Sequence, residues 1–514
     1  MNAPTATFET APELPYYQCS TQPEDSTEVK RYPLVEEIRT PFSAAGLFSL
    51  LHRKPFAFFL DSGMDPAKLG RYSFIGWDPF LVVKSRGEEL TLLSAGRQER
   101  RKGNPFRALG ELLETYELEP DGTPAPLAGG AVGYFSYDLR HFIEDVPGKA
   151  IDDLQLPECC LGFYDLVVSF DHLEQRTFIT SSGFPEQDEG RRLRRARERL
   201  EQVKATLEGQ RLAFSIQPAL LAGHAPASPQ DPRGMRLRSN FTHNEYIRAV
   251  ETVRDYITSG EIYQVNMSQR FEGSLTAHPY DLYQRLRSMN PAPFAAYLNL
   301  DEVTVLSASP ERFLKLDGGR VETRPMKGTR PRGRSAAEDA ALTSELRDSS
   351  KDRAENVMIV DLERNDLGKV CSIGSVKVSD LCTLEEYATV FQLTSCVEGR
   401  LADGKDRIDL LEACFPGGSI TGAPKIRAME IIDELEPTRR SIYTGSIGYL
   451  SFSGRMDLNI VIRTILAKND RVYLQVGGGI VYDSEPEAEY QETLHKAKAL
   501  FQALNLSPHV ATGV

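Results

Sequence analysis

No two cysteines of this sequence stand in a CxxC pair, and the seven present (Cys19, Cys159, Cys160, Cys371, Cys382, Cys396 and Cys414) are odd in number and scattered. That argues against a disulfide framework or a thiolate zinc site and points to a reducing compartment. A surplus of positive charge is also missing. The net charge is −13, which speaks against nucleic acid or an anionic membrane as partner, so an anionic substrate must be met by a local group of cations. No stretch approaches the roughly 20 apolar residues that a membrane helix needs. The opening MNAPTATFETAPELPYYQ lacks the basic and apolar regions of a secretory signal, and a cytoplasmic protein is expected. Two nucleotide motifs fail at the residue that matters. Gly417 and Gly422 have phosphate-loop spacing, but Ala423-Pro424 stand where a lysine and a hydroxyl residue belong. Gly477-Gly478-Gly479-Ile480-Val481-Tyr482 lacks the third glycine of a dinucleotide fingerprint. No cysteine sits in the G-x-C-x-G setting of a glutaminase nucleophile.

What the chain does have is RPMKGTRPRGR, Arg324 to Arg334, with five cations and no acid. It reads as a solvated basic patch, a clamp for phosphate or carboxylate, or the seat of a reactive lysine. The last reading comes from placement: Lys327 lies between Pro325-Met326 and Gly328-Thr329, so a stiff turn presents it. Flanking Arg324 and Arg330, together with desolvation, would lower its pKa and leave more neutral amine to act as a nucleophile.

Length and hydrophobic content allow one large core or two to three ordinary ones. Residues 1–30 read as a mobile lead-in, 31–235 as an N-terminal region and 236–514 as a catalytic domain, divided by the proline-bearing connection 215–238. Short apolar runs at 56–60, 72–75 and 80–83 and the glycine-rich 129–137 predict antiparallel strands. Residues 187–208 predict a solvated, arginine-rich helix. Thr242 and Glu245 form a capping box for a helix that Gly260 ends. Strands are predicted at 294–300, 303–308, 313–316, 446–452, 459–466 and 472–476, and helices at about 350–361, 425–435 and 484–504, the last with Ser484 and Glu487 as capping box. No internal repeat is found.

Glu489, Glu492 and Lys496 share one face of the last helix, and Asp352 and Glu355 one face of an earlier one. Each is ordinarily a solvated ladder, but two carboxylate pairs on separate helices are also what oxygen-ligated magnesium requires. Glu311, after an apolar strand, becomes a general acid if burial raises its pKa, whereas pairing with Arg312 does the reverse. The loop FPGGSITGAPK and Gly477-Gly478-Gly479 both offer backbone N–H groups to a carboxylate.

The set SASPERF (307–313), TRPMKGTRPRG (323–333), DRAENVMIVDLERNDLG (352–368), FPGGSITGAPK (415–425), IVIRT (460–464) and EAEYQETLHKAKA (487–499) resembles the chorismate-utilising enzymes, and GRYSFIGWDP (70–79) extends the likeness into the N-terminal region. The resemblance implies an α/β fold of the α+β type, large antiparallel β-sheets in a sandwich with flanking helices, acting on magnesium-bound chorismate. By position, Glu355 and Glu492 resemble the direct Mg2+ ligands and Asp352 and Glu489 their outer partners. Glu311 resembles the acid that helps the C4 hydroxyl leave. Lys496, Arg463, Tyr443, Ser419, Gly478 and Gly479 resemble groups holding the substrate carboxylates, with Thr329 and Gln264 also counted among substrate-binding positions.

Two positions discriminate within the family. Isochorismate and salicylate synthases carry a water-activating lysine where this chain has Gln264. Anthranilate synthases read P-I-A-G-T where this chain reads Pro325-Met326-Lys327-Gly328-Thr329, as the aminodeoxychorismate synthases do. The resemblance to that subfamily implies covalent catalysis by Lys327, a partner glutamine amidotransferase supplying ammonia, and a product on the way to p-aminobenzoate and folate. Anthranilate synthase component I is the alternative, and a non-catalytic binding homologue a third. Gln392 stands where the family commonly has a histidine in V-x-H-L-x-S, so a proton relay is left unassigned. Leu60-Asp61-Ser62 resembles only part of the tryptophan-site signature, and feedback inhibition is not expected.

Overall fold

The computed structural model describes residues 30–62, 64–216, 237–387 and 390–506, and among these the strands form two antiparallel sheets of twelve strands each. The first sheet runs from Leu34–Ile38 through Arg176–Ser181, Leu166–Asp171, Tyr72–Gly76 and Phe58–Asp61 into Phe294–Asn299. It continues through Thr304–Ser309, Thr464–Lys468, Arg471–Ile480 and Gln264–Ser274 to Arg238–Ser239. The second begins at Met326–Pro331 and passes through Val390–Arg400, Arg320–Arg324, Arg312–Asp317, Met456–Ile460 and Ser446–Ser451. It ends through Gly130–Phe135, Cys159–Tyr164, Leu81–Arg86, Glu89–Ser94 and Arg97–Lys102. Alternating side chains of both sheets, among them Phe59, Ile75, Phe163, Leu306, Leu458 and Leu474, meet in one core flanked by helices. This is the expected α+β sandwich.

The lead-in and most of the expected 215–238 connection lie outside the described residues. Strands from both sides of that connection share each sheet. Phe58–Asp61 pairs with Phe294–Asn299, and Gly130–Phe135 with Ser446–Ser451, so regions 31–235 and 236–514 close over a common core. The glycine-rich strand permits this closeness, since a Cβ on Gly130 would stand 2.3 Å from the Leu450 carbonyl oxygen.

Local signals hold where the chain decides for itself. Thr242 and Glu245 form the reciprocal capping box of helix His243–Thr258, a device that contributes about 1 kcal/mol. Helix Lys425–Leu435 spans the predicted residues. Several expectations are corrected. The basic stretch is not a turn but edge strand Met326–Pro331, paired with Val390–Arg400 and interrupted by a bulge at Gly328, whose φ is +72°. The run 459–466 is two strands, Met456–Ile460 and Thr464–Lys468, broken at Arg463, which has φ +53°. Gly477-Gly478-Gly479 is no loop: it lies inside strand Arg471–Ile480, paired with Gln264–Ser274. The helix expected to end at 361 continues as Ser350–Gly368. The last helix is Pro486–Ala503, and its predicted capping box does not form, because the Ser484 hydroxyl donates to Glu489 Oε1 at 2.6 Å. The arginine-rich helix, Glu189–Ile216, is not wholly solvated: Arg192 is fully buried, and Arg195 and Arg199 pair with buried Asp165.

Candidate active site

Lys327 reaches inward from the edge strand, and its Nζ donates to the Ser419 carbonyl at 3.1 Å. Its amine pKa is lowered, first by burial and then by Lys496, against the opposing charges of Glu355, Glu311 and Glu492. The sequence pattern points to desolvation together with Arg324 and Arg330; burial is the leading cause, and the structure corrects the part given to the arginines. Arg324 pairs with Glu385 at 2.8 Å, and Arg330 with Glu345 at 2.8 Å and Asp352 at 3.1 Å. The lowering is a desolvation effect helped by a lysine on a distant helix.

Glu311 lies between strands Thr304–Ser309 and Arg312–Asp317 and is 4% exposed. Arg312 points the other way, as adjacent residues near a strand do, and binds Asp457 at 3.0 Å and Glu322 at 2.7 Å. Burial therefore pushes the Glu311 carboxyl up to about 7, although a hydrogen bond with the Ser419 side chain, the Lys327 charge and the Met326 amide pull it down. Ser419 sits in the short turn Gly418–Ile420 and joins the two groups, facing Glu311 with its side chain and Lys327 with its carbonyl.

Further carboxylates act on Lys327, Glu355 and Glu492 among them. A Cβ at Gly478 would lie 3.3 Å from Glu489 Oε2 and 3.4 Å from Glu492 Oε1, so the last helix lays both over the glycine strand. Lys496 Nζ bridges Glu492 Oε1 at 2.7 Å and the Gly477 carbonyl at 2.9 Å. Burial pushes Glu355 and Glu489 up, each made worse by the charge of Glu492. Burial would do the same to Glu492, but Lys496, Lys351 and Lys327 hold it below its usual range. The two carboxylate pairs thus act on one another, which spacing alone does not establish.

Glu489 Oε2 is buried without a hydrogen-bond partner among the described residues. An orphaned carboxylate oxygen amid oxygen-only donors fits a hard divalent cation. A different cluster, Glu322, Cys396 and Glu398, brings its ligand atoms within 4.8 Å of one another. Its carboxylates are already neutralised by Arg312 and Arg320, and it lies outside the constellation around Lys327.

Arg463, in the left-handed break between strands, is lowered by burial, and no ion pair to it occurs among the described residues. Tyr443 is 7% exposed, its hydroxyl pKa raised by burial. Gln264, 1% exposed, has both side-chain polar atoms buried and unpartnered, against Gly479, where a Cβ would meet its Nε2 at 2.1 Å. Thr329, beyond the bulge, is exposed and accepts from Gln392 Nε2 at 3.5 Å, apart from the inward cluster. Asp352 is taken up by Arg330. Sequence reasoning missed Lys351, whose charge acts on Glu355, Glu489 and Glu492. Its position four residues before Glu355 was the available signal. Leu60, Asp61 and Ser62 line a separate cavity of about 400 Å³ that contains none of the expected site residues.

The family model of chorismate binding enzymes matches residues 56–502. The chain belongs to the chorismate-binding enzyme family. Aminodeoxychorismate synthase component 1 of Bacillus subtilis (strain 168) is 39% identical over 446 residues, 86% of this chain and 91% of that protein. Anthranilate synthase component 1 of Thermus thermophilus is also 39% identical, over 480 residues, 93% of this chain and 98% of its own length. Anthranilate synthase component I from Streptococcus pneumoniae TIGR4 superposes with a TM-score of 0.69 at 32% identity, covering 85% of this chain and 92% of the other. This chorismate-binding enzyme thus has relatives of both names at equal identity, and the choice between their reactions rests on its own residues. No described helix is long and apolar enough to cross a membrane.

Proposed function

We propose that the chain is the amination component that converts chorismate and ammonia to 4-amino-4-deoxychorismate, with Lys327 as nucleophile. The observation that carries this is Lys327 itself: a half-buried amine with lowered pKa, sharing Ser419 with a carboxyl near neutrality. The neutral amine attacks C2 as both ring double bonds shift and the C4–oxygen bond breaks, and Glu311 gives its proton to the departing hydroxyl, releasing water. The new secondary amine sheds a proton. Ammonia then attacks C4, both double bonds return, and Lys327 leaves as a neutral amine, taking up a proton to balance the one that the new C4 ammonium group gives up. Arg463, Tyr443, Ser419, Lys496 and the amides of Gly478 and Gly479 hold the two carboxylates of the substrate, beside Gln264. Glu355 and Glu492 would hold magnesium directly and Asp352 and Glu489 its waters; bound there, the ion supplies positive charge for a substrate carboxylate.

Mass spectrometry of the product formed from chorismate, magnesium and ammonium tests the reading. A 4-amino product that keeps its enolpyruvyl group is expected. Anthranilate would overturn it in favour of the second reading, which the equally similar anthranilate synthases support.

Ammonia reaches the site from a partner glutamine amidotransferase, consistent with relatives named component 1. The pure chain is therefore expected to turn over with ammonium salts and not with glutamine, and glutamine-dependent turnover without a second protein would refute this. A cytoplasmic setting goes with this reading.

A further inference from the structure

Glu363 is a buried carboxyl that the scheme above does not use. It lies on helix Ser350–Gly368, two turns beyond Glu355, and is 2% exposed. Its Oε1 accepts from the Gly418 amide at 3.0 Å, and its Oε2 has no partner among the described residues. A Cβ at Gly418 would stand 3.0 Å from that Oε1 and 2.7 Å from Leu362 Cδ2, so glycine lets the turn settle onto the helix. The turn carries Ser419 next. One three-residue turn therefore ties Glu363 by an amide, Glu311 by a side chain and Lys327 by a carbonyl.

The charged and titratable groups around Glu363 come from four elements. Asp366 is on its own helix, Lys425 heads helix Lys425–Leu435, Cys414 ends helix Arg407–Cys414, and Glu311 is held to the same turn through the Ser419 side chain. Lys425 is committed elsewhere, to Asp366 and to the Cys414 and Pro416 carbonyls. No cation pairs with Glu363 among the described residues, and burial with the charge of Asp366 pushes its carboxyl up to about 7, with Glu311 adding to the rise.

We propose that Glu363 is a positioning residue for loss of the substrate hydroxyl: through the Gly418 amide it seats Ser419 against Glu311, and its own negative charge holds the proton on Glu311. This rests on the reading of Glu311 as the acid. The Glu311 charge acts on Glu363, and the action is mutual, so an ionised Glu363 keeps Glu311 protonated to higher pH. An amide oxygen could accept the same N–H without ionising, which separates the two parts of the role.

The test is the pH dependence of kcat in the full chain with ammonium and magnesium. For the wild type, kcat falls as pH rises and Glu311 loses its proton. In Glu363→Gln the anchor stays and the charge goes, so this limb is expected to move to lower pH by about one unit. Glu363→Ala removes the anchor too, and kcat is expected to fall about 10-fold to 100-fold through misplacement of Ser419. A Glu363→Gln limb that coincides with the wild type overturns the proposal, whether or not the alanine variant folds. Glu311→Gln tells the two failures apart. If Glu311→Gln keeps the wild-type limb, the reading of Glu311 as acid is wrong; if it loses the limb while Glu363→Gln does not move it, only the inference about Glu363 is wrong.

Discussion

Incubated with chorismate and magnesium but no ammonia, the protein is expected to gain the mass of chorismate minus water on the peptide containing Lys327. Lys327→Ala should carry no such addition and lose activity by about 10³-fold or more, the scale on which removing a covalent nucleophile acts. The expectation comes from where the fold puts the amine. A solvated lysine is almost wholly protonated near neutrality, whereas here burial and Lys496 favour the neutral form. The carboxylates Glu355, Glu311 and Glu492 oppose that lowering, so the depression is held in check and the lysine still takes up a proton when it leaves. If Lys327 were only an electrostatic clamp, Lys327→Arg would keep much of the activity, no adduct would form and the product would carry nitrogen at C2.

Replacing Glu355 by Gln is expected to abolish magnesium-dependent turnover while leaving the fold intact. Glu355 is pushed up by burial and by Asp352 and Glu492, so without metal it is a strained anion, and removing its charge should not lower thermal stability. The decisive readout is the stabilisation that magnesium confers on the folded protein, which follows from binding to the native state alone. That shift should disappear in Glu355→Gln and in Glu492→Gln. Glu489→Gln and Asp352→Asn, acting through waters, should weaken metal affinity by about 10-fold to 100-fold. A full magnesium-induced shift in both Glu355→Gln and Glu492→Gln would show that the ion is held elsewhere.

The parts of the molecule readable from sequence are those decided within a few residues. The capping box at Thr242, the helix after Pro424 and the strands near Phe58 and Tyr72 depend on local chemistry, and they stand where the pattern puts them. Glu311 escapes Arg312 because successive side chains near a strand diverge, and Arg312 finds Asp457 and Glu322 instead. Three glycines in a row look like a loop in one dimension. They form a strand because the facing strand Gln264–Ser274 and the last helix press in, and only glycine leaves room for Gln264 and the two glutamates. Likewise the basic stretch becomes an edge strand through pairing with residues some sixty positions later, which no local signal announces. The lowering of Lys327 is legible in the sequence, but its charged helper comes from the end of the chain rather than from the neighbouring arginines, which carboxylates have already claimed.

The sharing of both sheets between the two halves of the chain also shapes the protein's life on the ribosome. Ser451 donates its hydroxyl proton to the Gly129 carbonyl across 322 residues of sequence, and synthesis at about 5–20 residues per second puts on the order of tens of seconds between the two. During that interval strand Gly130–Phe135 has Cys159–Tyr164 on one side and a bare hydrogen-bonding edge on the other. An apolar edge exposed for so long is a template for wrong pairing between nascent chains. Cooling, which slows the unproductive encounters, and chaperones that cover the edge are therefore expected to raise the soluble yield more than any change in codon usage near the start of the message, whereas a message truncated before Ser446 should deliver only aggregate.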